Sequence, residues 1–230
     1  MLNQLFDYEV NHPTKIDSAI YRGMKESKGI WIPTQDNAGF WSAGYEIREY
    51  KKLNLSGNLA LDIGAHVGIW SKRLSEDFNK VICFEPMTKH IKCHKKNCEG
   101  LDNVTLIENA LSDIESESIM TTRDDNSGMS TLKPGHTLKR WGHQNPSEQT
   151  VHTKTLDSYD FPKIDFIKID VEGWERQVLR GGRETIKKYK PNIYMEIWKS
   201  NYNYYEKILT DMGYSLEKVS KCNYLCKSVK

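Results

Sequence analysis

The chain has 230 residues, of which 33 are Lys or Arg and 31 are Asp or Glu, so its formal net charge is +2. This near balance gives no support to a protein that coats nucleic acid or binds membranes through a polybasic surface, and neither partner is expected. Five cysteines without a CxxC pair, no apolar run near the roughly 18 residues that span a bilayer, and no signal-peptide pattern indicate a cytoplasmic protein.

At this length we expect one globular unit with an elaboration, namely an N-terminal cap over residues 1–56 and an α/β domain over residues 57–230. The N-terminal part is irregular and rich in aromatic residues, and it leads into a helix over residues 43–53. Short apolar runs then alternate with segments of helical spacing. These runs predict strands at 58–63, 81–85 and 104–109, a helix carrying Trp70, Leu74 and Phe78 on one side, and a polar helix at 88–98.

Residues 112–149 are polar and show no sustained period, so they are predicted to form a long loop that covers a ligand. Regular patterns return after it and predict strands at 164–170 and 192–197, helices at 174–189 and 204–212, and a terminal antiparallel pair at 214–219 and 224–229. Strands that alternate with helices predict a mostly parallel sheet. Ligands of such sheets bind beyond the carboxyl ends of the strands, which directs attention to the strand-to-helix turns.

The first such turn is Asp62-Ile63-Gly64-Ala65-His66-Val67-Gly68, and Glu85 ends the next strand. Glycine permits a tight turn that a ligand can approach closely, and a carboxylate at the second strand can accept the hydroxyls of a ribose. The pattern therefore indicates an adenosine-containing ligand. A dinucleotide needs a second glycine so that the backbone can approach the pyrophosphate, and His66 stands in that place. The substitution favours S-adenosylmethionine (SAM), which has no phosphate, over NAD.

Asp62–Gly68 resembles motif I of class I SAM-dependent methyltransferases, and Phe84-Glu85-Pro86 resembles their acidic motif. Further runs are similar to the FkbM methyltransferase family, and the most specific is Lys-x-Asp-x-Glu-Gly at 168–173. The other similar runs are Ser127–Leu132, Thr155–Asp157, Ile164–Glu175, Val178–Gly181, Pro191 and Tyr194–Glu196. The resemblance covers about residues 57–200. His66 departs from it, because the family often has Asn at that position.

The resemblance implies a Rossmann-like class I methyltransferase fold, which is α/β with a seven-stranded, mostly parallel sheet of order 3-2-1-4-5-7-6 and helices on both faces. It implies SAM as cofactor and O-methylation of a hydroxyl on a sugar, a polyketide or another small metabolite. Asp62, Gly64 and Gly68 would hold the methionine part, with Ala65 and His66 in the same turn. Glu85 beside Pro86 would hold the ribose, and Asn109 with Ala110 would flank the adenine.

Lys168, Asp170 and Glu172 alternate, so they share one side if the strand continues through Glu172. Either carboxylate is a candidate general base, and Lys168 would position both or lower their pKa. The alternative is a structural ion pair next to a helix start. His66 is another candidate base, although it more readily serves as a wall of the cofactor pocket. We expect no metal, with Asp170, Glu172 and Glu196 as the alternative set of oxygen ligands for a Mg²⁺-like cation.

These observations predict a SAM-dependent O-methyltransferase that acts on a hydroxyl of a saccharide or small metabolite. Two alternatives stay open, namely a nucleic-acid or protein methyltransferase and a non-catalytic module that binds SAM or a nucleotide. His90, Cys93, His94 and Cys98 are interpreted as part of an ordinary helix, because their spacing matches no common zinc pattern. The sequence does not identify the methyl acceptor or the oligomeric state.

Overall fold

The computed structural model describes residues 23–36, 41–133 and 146–229. Residues 1–22 and 37–40 of the predicted N-terminal cap lie outside the described residues. Its described part is a hairpin of β1 (Met24–Ser27) and β2 (Ile30–Pro33), followed by helix α1 (Trp41–Lys51). The expectation of irregular structure before α1 is therefore wrong for residues 24–33, because four residues of each strand pair in antiparallel register.

A seven-stranded sheet forms the centre of the molecule. Its strands are β3 (Gly57–Ile63), β4 (Phe78–Phe84), β5 (Val104–Ile107), β9 (Phe166–Ile169), β10 (Asn192–Glu196), β11 (Tyr214–Lys218) and β12 (Asn223–Ser228). They lie in the order β11-β12-β10-β9-β3-β4-β5. All pairs are parallel except the two that involve β12. Counted along the chain within this sheet, the order is 3-2-1-4-5-7-6, the one that the family resemblance implies.

Helices cover both faces of this sheet, which is why its inner strands are apolar on both sides. Successive residues of β3 point to opposite faces, so Leu59, Leu61 and Ile63 join one apolar cluster and Ala60 joins the other. The first cluster packs under α4 (Glu175–Gly181), α5 (Arg183–Tyr189) and α6 (Tyr202–Asp211), and the second under α1 and α2 (Ile69–Leu74). Helix α3 (Thr88–Asn97) follows β4.

A second, three-stranded sheet corrects the prediction of a long loop over residues 112–149. It consists of β6 (Ala110–Leu111), β7 (Ser116–Thr122) and β8 (Ser147–Lys154), in the order β6-β8-β7. Strands β7 and β8 pair antiparallel along their length and bury only a few apolar side chains, such as Met120 and Val151. The other buried residues of these two strands are Thr122 and Thr153, which are polar. The strands therefore have no apolar periodicity in the sequence. Residues 134–145, between them, lie outside the described part of the chain.

The helix predicted over residues 174–189 is two helices, because α4 ends at Gly181 and Gly182 separates it from α5. A Cβ at Gly181 would lie 1.9 Å from the carbonyl oxygen of Ser112, so the backbones approach too closely for any side chain. The third strand of the central sheet ends at Ile107, two residues before the predicted end. Within the described residues, no helix is both long and apolar enough to cross a membrane.

Candidate active site

A pocket lies beyond the carboxyl ends of β3, β4 and β9, where ligands of parallel sheets bind. Part of its wall is apolar and comes from Phe84, Leu111, Met120, Leu132 and Trp174. The rest of the lining includes most of the predicted site residues, namely Gly64, Ala65, His66, Glu85, Pro86, Ala110, Lys168, Asp170 and Glu172. The fold therefore brings together side chains from both halves of the chain.

The glycine turn after β3 is held in a conformation that its sequence is suited to adopt. Gly64, His66 and Gly68 have positive φ angles of 79°, 50° and 90°. A Cβ at Gly64 would lie 1.9 Å from the carbonyl oxygen of Asp170, so that position requires glycine. The N–H groups of Gly64 and Ala65 both donate to the carbonyl oxygen of Phe84 at 3.1 and 3.0 Å, which fixes the turn against β4.

Lys168 is the buried cation beneath this turn. Its Nζ donates to the carbonyl oxygen of Gly64 at 2.9 Å and lies 3.4 Å from Asp62 Oδ1 and 3.5 Å from Asp170 Oδ2. Burial alone would lower the pKa of Lys168, but the carboxylates of Asp170 and Asp62 raise that pKa above its ordinary value. Lys168 thus stays charged and cannot serve as a proton acceptor. It joins the end of β3 to the end of β9.

Asp62 is fully buried between Ser71 and Lys168. Ser71 Oγ donates to Asp62 Oδ2 at 2.7 Å, and His94 Nε2 lies 2.9 Å from the same hydroxyl. Because that hydroxyl has one proton, which goes to Asp62, His94 Nε2 must be the donor to Ser71. Asp62 Oδ1 has no hydrogen-bond partner among the described residues. The contacts of His94 also agree with the interpretation of 88–98 as an ordinary helix.

Glu85 lies at the end of β4 with 4% of its surface exposed. The N–H of His66 donates to Oε2 at 2.9 Å, and the N–H of Met87 and Nδ1 of His90 donate to Oε1 at 2.9 and 3.1 Å. Burial alone would raise the pKa of Glu85, but His90 and these hydrogen bonds hold it below its ordinary value. The carboxylate is therefore ionised, and it anchors the glycine turn in addition to facing the pocket.

His66 contributes a neutral ring to the pocket wall. Its Nε2 lies 2.7 Å from Ser127 Oγ, and Ser127 in turn donates to the buried carboxylate of Asp36. The rings of His66 and His90 meet edge to face with centroids 4.4 Å apart. Burial, and then the neighbouring His90, lower the pKa of His66 to about 3. A ring with that pKa is a poor proton acceptor, so the structure favours the wall interpretation over a general base.

Asp170 and Glu172 reach the pocket by a turn and not by continued strand. Strand β9 ends at Ile169, and Glu172 has a positive φ of 51°. The strand does not continue through Glu172, so the condition for strand alternation is not met, and the turn instead brings both residues to the pocket wall. The carbonyl oxygen of Glu172 accepts a hydrogen bond from Thr131 Oγ1 at 2.8 Å, which attaches this turn to the 127–132 segment.

Two predicted residues have other partners. Asn109 Nδ2 donates to the hydroxyl of Tyr159 at 3.3 Å, while its neighbour Ala110 lies in the pocket wall. Glu196 accepts hydrogen bonds from Trp198 Nε1 at 2.7 Å and from Cys222 Sγ at 3.1 Å. Among the described residues, no group of three His, Cys, Asp or Glu side chains is arranged to hold a metal ion. The alternative set of Asp170, Glu172 and Glu196 is therefore not assembled as a metal site.

Glu46 of α1 is a pocket residue that the sequence analysis missed. Burial, and then the neighbouring Asp170 carboxylate, raise the pKa of Glu46 to about 7. The sequence predicted the helix that carries Glu46, but it had no motif to show which face of that helix meets the pocket. The indole of Trp70, in the same wall, interacts with the Glu46 carboxylate and favours its charged form, but by less than burial and Asp170 disfavour it.

Comparison with known proteins yields one family. The profile of the methyltransferase FkbM domain matches residues 62–225. A search of curated proteins gives no match.

Among solved structures, the methyltransferase FkbM from Methylobacillus flagellatus KT is 16% identical, with 74% of this chain and 43% of that chain covered and a TM-score of 0.48. This chain thus spans less than half of that protein. A precorrin 8w decarboxylase from Methanobacterium thermoautotrophicum is 13% identical over 90% of this chain and 100% of that chain, with a TM-score of 0.51. At such identity the second similarity shows the fold alone.

Proposed function

We propose that this chain, which belongs to the FkbM methyltransferase family, uses SAM to methylate a hydroxyl of a saccharide or another small metabolite. The observation that carries the proposal is the arrangement around Lys168. A buried lysine holds Asp62 and Asp170 at the carboxyl ends of two parallel strands, directly under the glycine turn. This arrangement supports the proposal because it fixes the Asp170 carboxylate and the Lys168 ammonium in the wall of the pocket.

The residues present fit SAM. The apolar wall with Met120 and Leu132 suits an adenine ring. Asp62 Oδ1 accepts no hydrogen bond among the described residues and lies 3.4 Å from Lys168 Nζ, so it keeps an acceptor position for the ammonium of a methionine group. Glu85 fits the ribose less fully than the resemblance implies. Three N–H donors already occupy its carboxylate, which has about four acceptor positions, so one position is left for a hydroxyl. His66, in the pocket wall, stands where a dinucleotide-binding turn has the glycine that lets the backbone approach a pyrophosphate.

When bound, SAM supplies the methyl group on a positively charged sulfur that leaves neutral. The residues of the chain have the remaining tasks, which are to orient the acceptor, exclude water and remove a proton. Positioning of two reactants can contribute about 7–11 kcal/mol to lowering a barrier. We assign Lys168 to hold Asp170 in place at the pocket, and Asp170 and Glu172 to contact the acceptor hydroxyl. Asp62, Gly64, Ala65, His66, Gly68, Glu85, Pro86 and Ala110 form the cofactor side, with Asn109 behind Ala110.

Calorimetric titration of the purified chain with S-adenosylhomocysteine tests the cofactor assignment without knowledge of the acceptor. We expect micromolar binding that Glu85→Gln weakens at least about tenfold, because hydrogen bonds to a charged acceptor contribute roughly 1.5–3 kcal/mol. Glu117→Gln is the matched control, since Glu117 lies on β7 with 70% of its side chain exposed. Absence of binding by folded wild-type protein would contradict the proposal and leave the non-catalytic module as the better interpretation.

Transfer of a radioactive methyl group from SAM to a panel of glycosides, polyketides and other hydroxyl compounds tests the acceptor class. We expect incorporation into at least one of these compounds and little into RNA, DNA or protein. Salt-sensitive retention on RNA or DNA, with incorporation only there, would favour the nucleic-acid alternative. Full turnover by both Asp170→Asn and Glu172→Gln would remove the roles assigned to these two side chains.

A further inference from the structure

The packing of helix α1 directs Glu46 to the pocket. Ile47 and Tyr50 of this helix are buried, and the ring of Tyr50 meets that of Trp70 at a centroid distance of 5.2 Å. The hydroxyl of Tyr50 donates to Asp77 Oδ2 at 3.1 Å, and Asp77 directly precedes β4. Tyr50 therefore lies toward the amino edge of the sheet. Glu46 is one helical turn earlier, about 6 Å along the axis, toward the carboxyl edge and the pocket.

Carboxylates surround Glu46, and the nearby cation is already engaged. Asp170 and Glu196 act on it from the ends of β9 and β10, and Lys168 acts from β9. Lys168 forms its ion pairs with Asp62 and Asp170. The other titratable groups that interact with Glu46 are Tyr194 and Cys222. This is an environment that disfavours charge on Glu46 and raises the pKa of its carboxyl.

We infer that Glu46 is the proton acceptor for the hydroxyl that is methylated. The inference rests on the proposed function, because it presupposes a hydroxyl acceptor in the same pocket. Glu46 lies outside residues 62–225, the part of the chain that the family profile matches, so the resemblance assigns it no role. Lys168 is a cation, His66 is a neutral wall residue, and Asp170 is held by Lys168 at 3.5 Å. Glu46 lines the same pocket, and its raised pKa suits a group that takes and releases a proton near neutral pH.

In the proposed step the O–H bond of the acceptor breaks, and its proton passes to a carboxylate oxygen of Glu46. The acceptor oxygen uses an electron pair to bond the methyl carbon, and the pair of the breaking carbon–sulfur bond stays on sulfur. Glu46 ends the step as a neutral acid and releases its proton to solvent at the open side of the pocket.

The first test needs no acceptor and observes the Glu46 carboxyl directly. The full chain, labelled with ¹³C at the glutamate side-chain carboxyl, is titrated with acid and base by NMR in its complex with S-adenosylhomocysteine. We expect one resonance with a midpoint of about 7 that is absent from Glu46→Gln. Glu49→Gln is the matched control on the same helix, because Glu49 pairs with Lys52 at 2.7 Å and should leave that resonance in place. A Glu46 resonance that titrates near the ordinary 4.5 overturns the inference.

The second test uses the acceptor that the panel identifies. Glu46→Gln should lower kcat by about 10²–10⁴-fold and remove the rise of kcat with pH near neutrality. Its affinity for S-adenosylhomocysteine should stay within about threefold of the wild type, which separates a lost base from a disrupted pocket. Retention of wild-type kcat and its pH profile by Glu46→Gln overturns the inference. Failure of the wild type to bind S-adenosylhomocysteine would instead overturn the proposed function, so the two failures are distinguishable.

Discussion

Replacement of Lys168 by methionine tests whether this lysine holds the site together. Lys168→Met keeps a side chain of similar length but removes the charge that lies between Asp62 and Asp170. Asp170, with 35% of its side chain exposed, can regain water. Asp62 is fully buried and would keep only the hydrogen bond from Ser71. The cost of the substitution therefore falls mainly on the Asp62 carboxylate.

Loss of one partner of a buried ion pair costs about 3–5 kcal/mol, because the other charge stays buried without compensation. For a chain of this size each kcal/mol corresponds to roughly 2–4 °C in Tm, so Lys168→Met should lower Tm by about 6–20 °C. Urea denaturation, followed by circular dichroism, measures the free energy of unfolding.

Lys187→Met is the control, because Lys187 lies 3.8 Å from Glu184 and both side chains are at least 40% exposed. Lys187→Met should lower the free energy of unfolding by no more than about 0.5 kcal/mol. The double variant Asp62→Asn with Lys168→Met should recover part of the loss, since no unpaired charge is left. A loss below about 1 kcal/mol for Lys168→Met alone would refute the assignment of a buried, structurally coupled ion pair.

Three further substitutions test separate parts of the site by urea denaturation. Gly64→Ala should lower the free energy of unfolding by more than about 3 kcal/mol or prevent folding. Gly100→Ala is the control, because Gly100 has a similar φ but open space around it, and it should cost about 1–2 kcal/mol. Equal costs for the two variants would contradict the close approach of Gly64 to Asp170. The pKa of Glu46 is raised from 4.5 to about 7, so the folded protein binds more protons than the unfolded chain in that window and loses stability as pH rises through it. Glu46→Gln has no titrating group at this position, so its free energy of unfolding should rise relative to that of the wild type by about 1–2 kcal/mol between about pH 5 and pH 8. This range allows for solvent at the pocket mouth. No such relative rise would refute the raised pKa of Glu46. The pKa of His66 is lowered from 6.5 to about 3, so the folded protein binds fewer protons in that window and loses stability as pH falls. The free energy of unfolding of His66→Asn should fall less than that of the wild type between about pH 6 and pH 4. An equal fall in both proteins would count against a His66 ring that stays neutral in the folded protein.

Local patterns were sufficient to predict the central sheet and its first turn. The strand before Asp62 is a contiguous apolar run, and the turn after it needs residues that tolerate positive φ, which Gly64 and Gly68 provide. Both signals lie within a few neighbouring residues, so no long-range contact is needed to read them. The alternation of strands and helices then constrains the connections, because parallel strands need crossovers.

The second sheet was not predictable in the same way. Strands β7 and β8 are rich in Ser, Thr and charged residues and expose every second side chain along much of their length. Their pairing is fixed by backbone hydrogen bonds and by contact with the pocket wall through Met120, neither of which leaves an apolar period in the sequence. The break between α4 and α5 has a similar origin, since it depends on how closely Gly181 approaches Ser112.

The sequence by itself determined the family, the motifs and the carboxylates Glu85, Asp170 and Glu172 that line the pocket, because residues near in the chain suffice to encode a strand, a turn and a helix. Only the tertiary structure decided what each charge does. It paired Lys168 with two carboxylates, engaged Glu85 with backbone donors, neutralised His66 by burial and brought Glu46 beside Asp170. Electrostatic energy depends on distance and solvent exposure, and both are set by packing between segments that are far apart in the sequence.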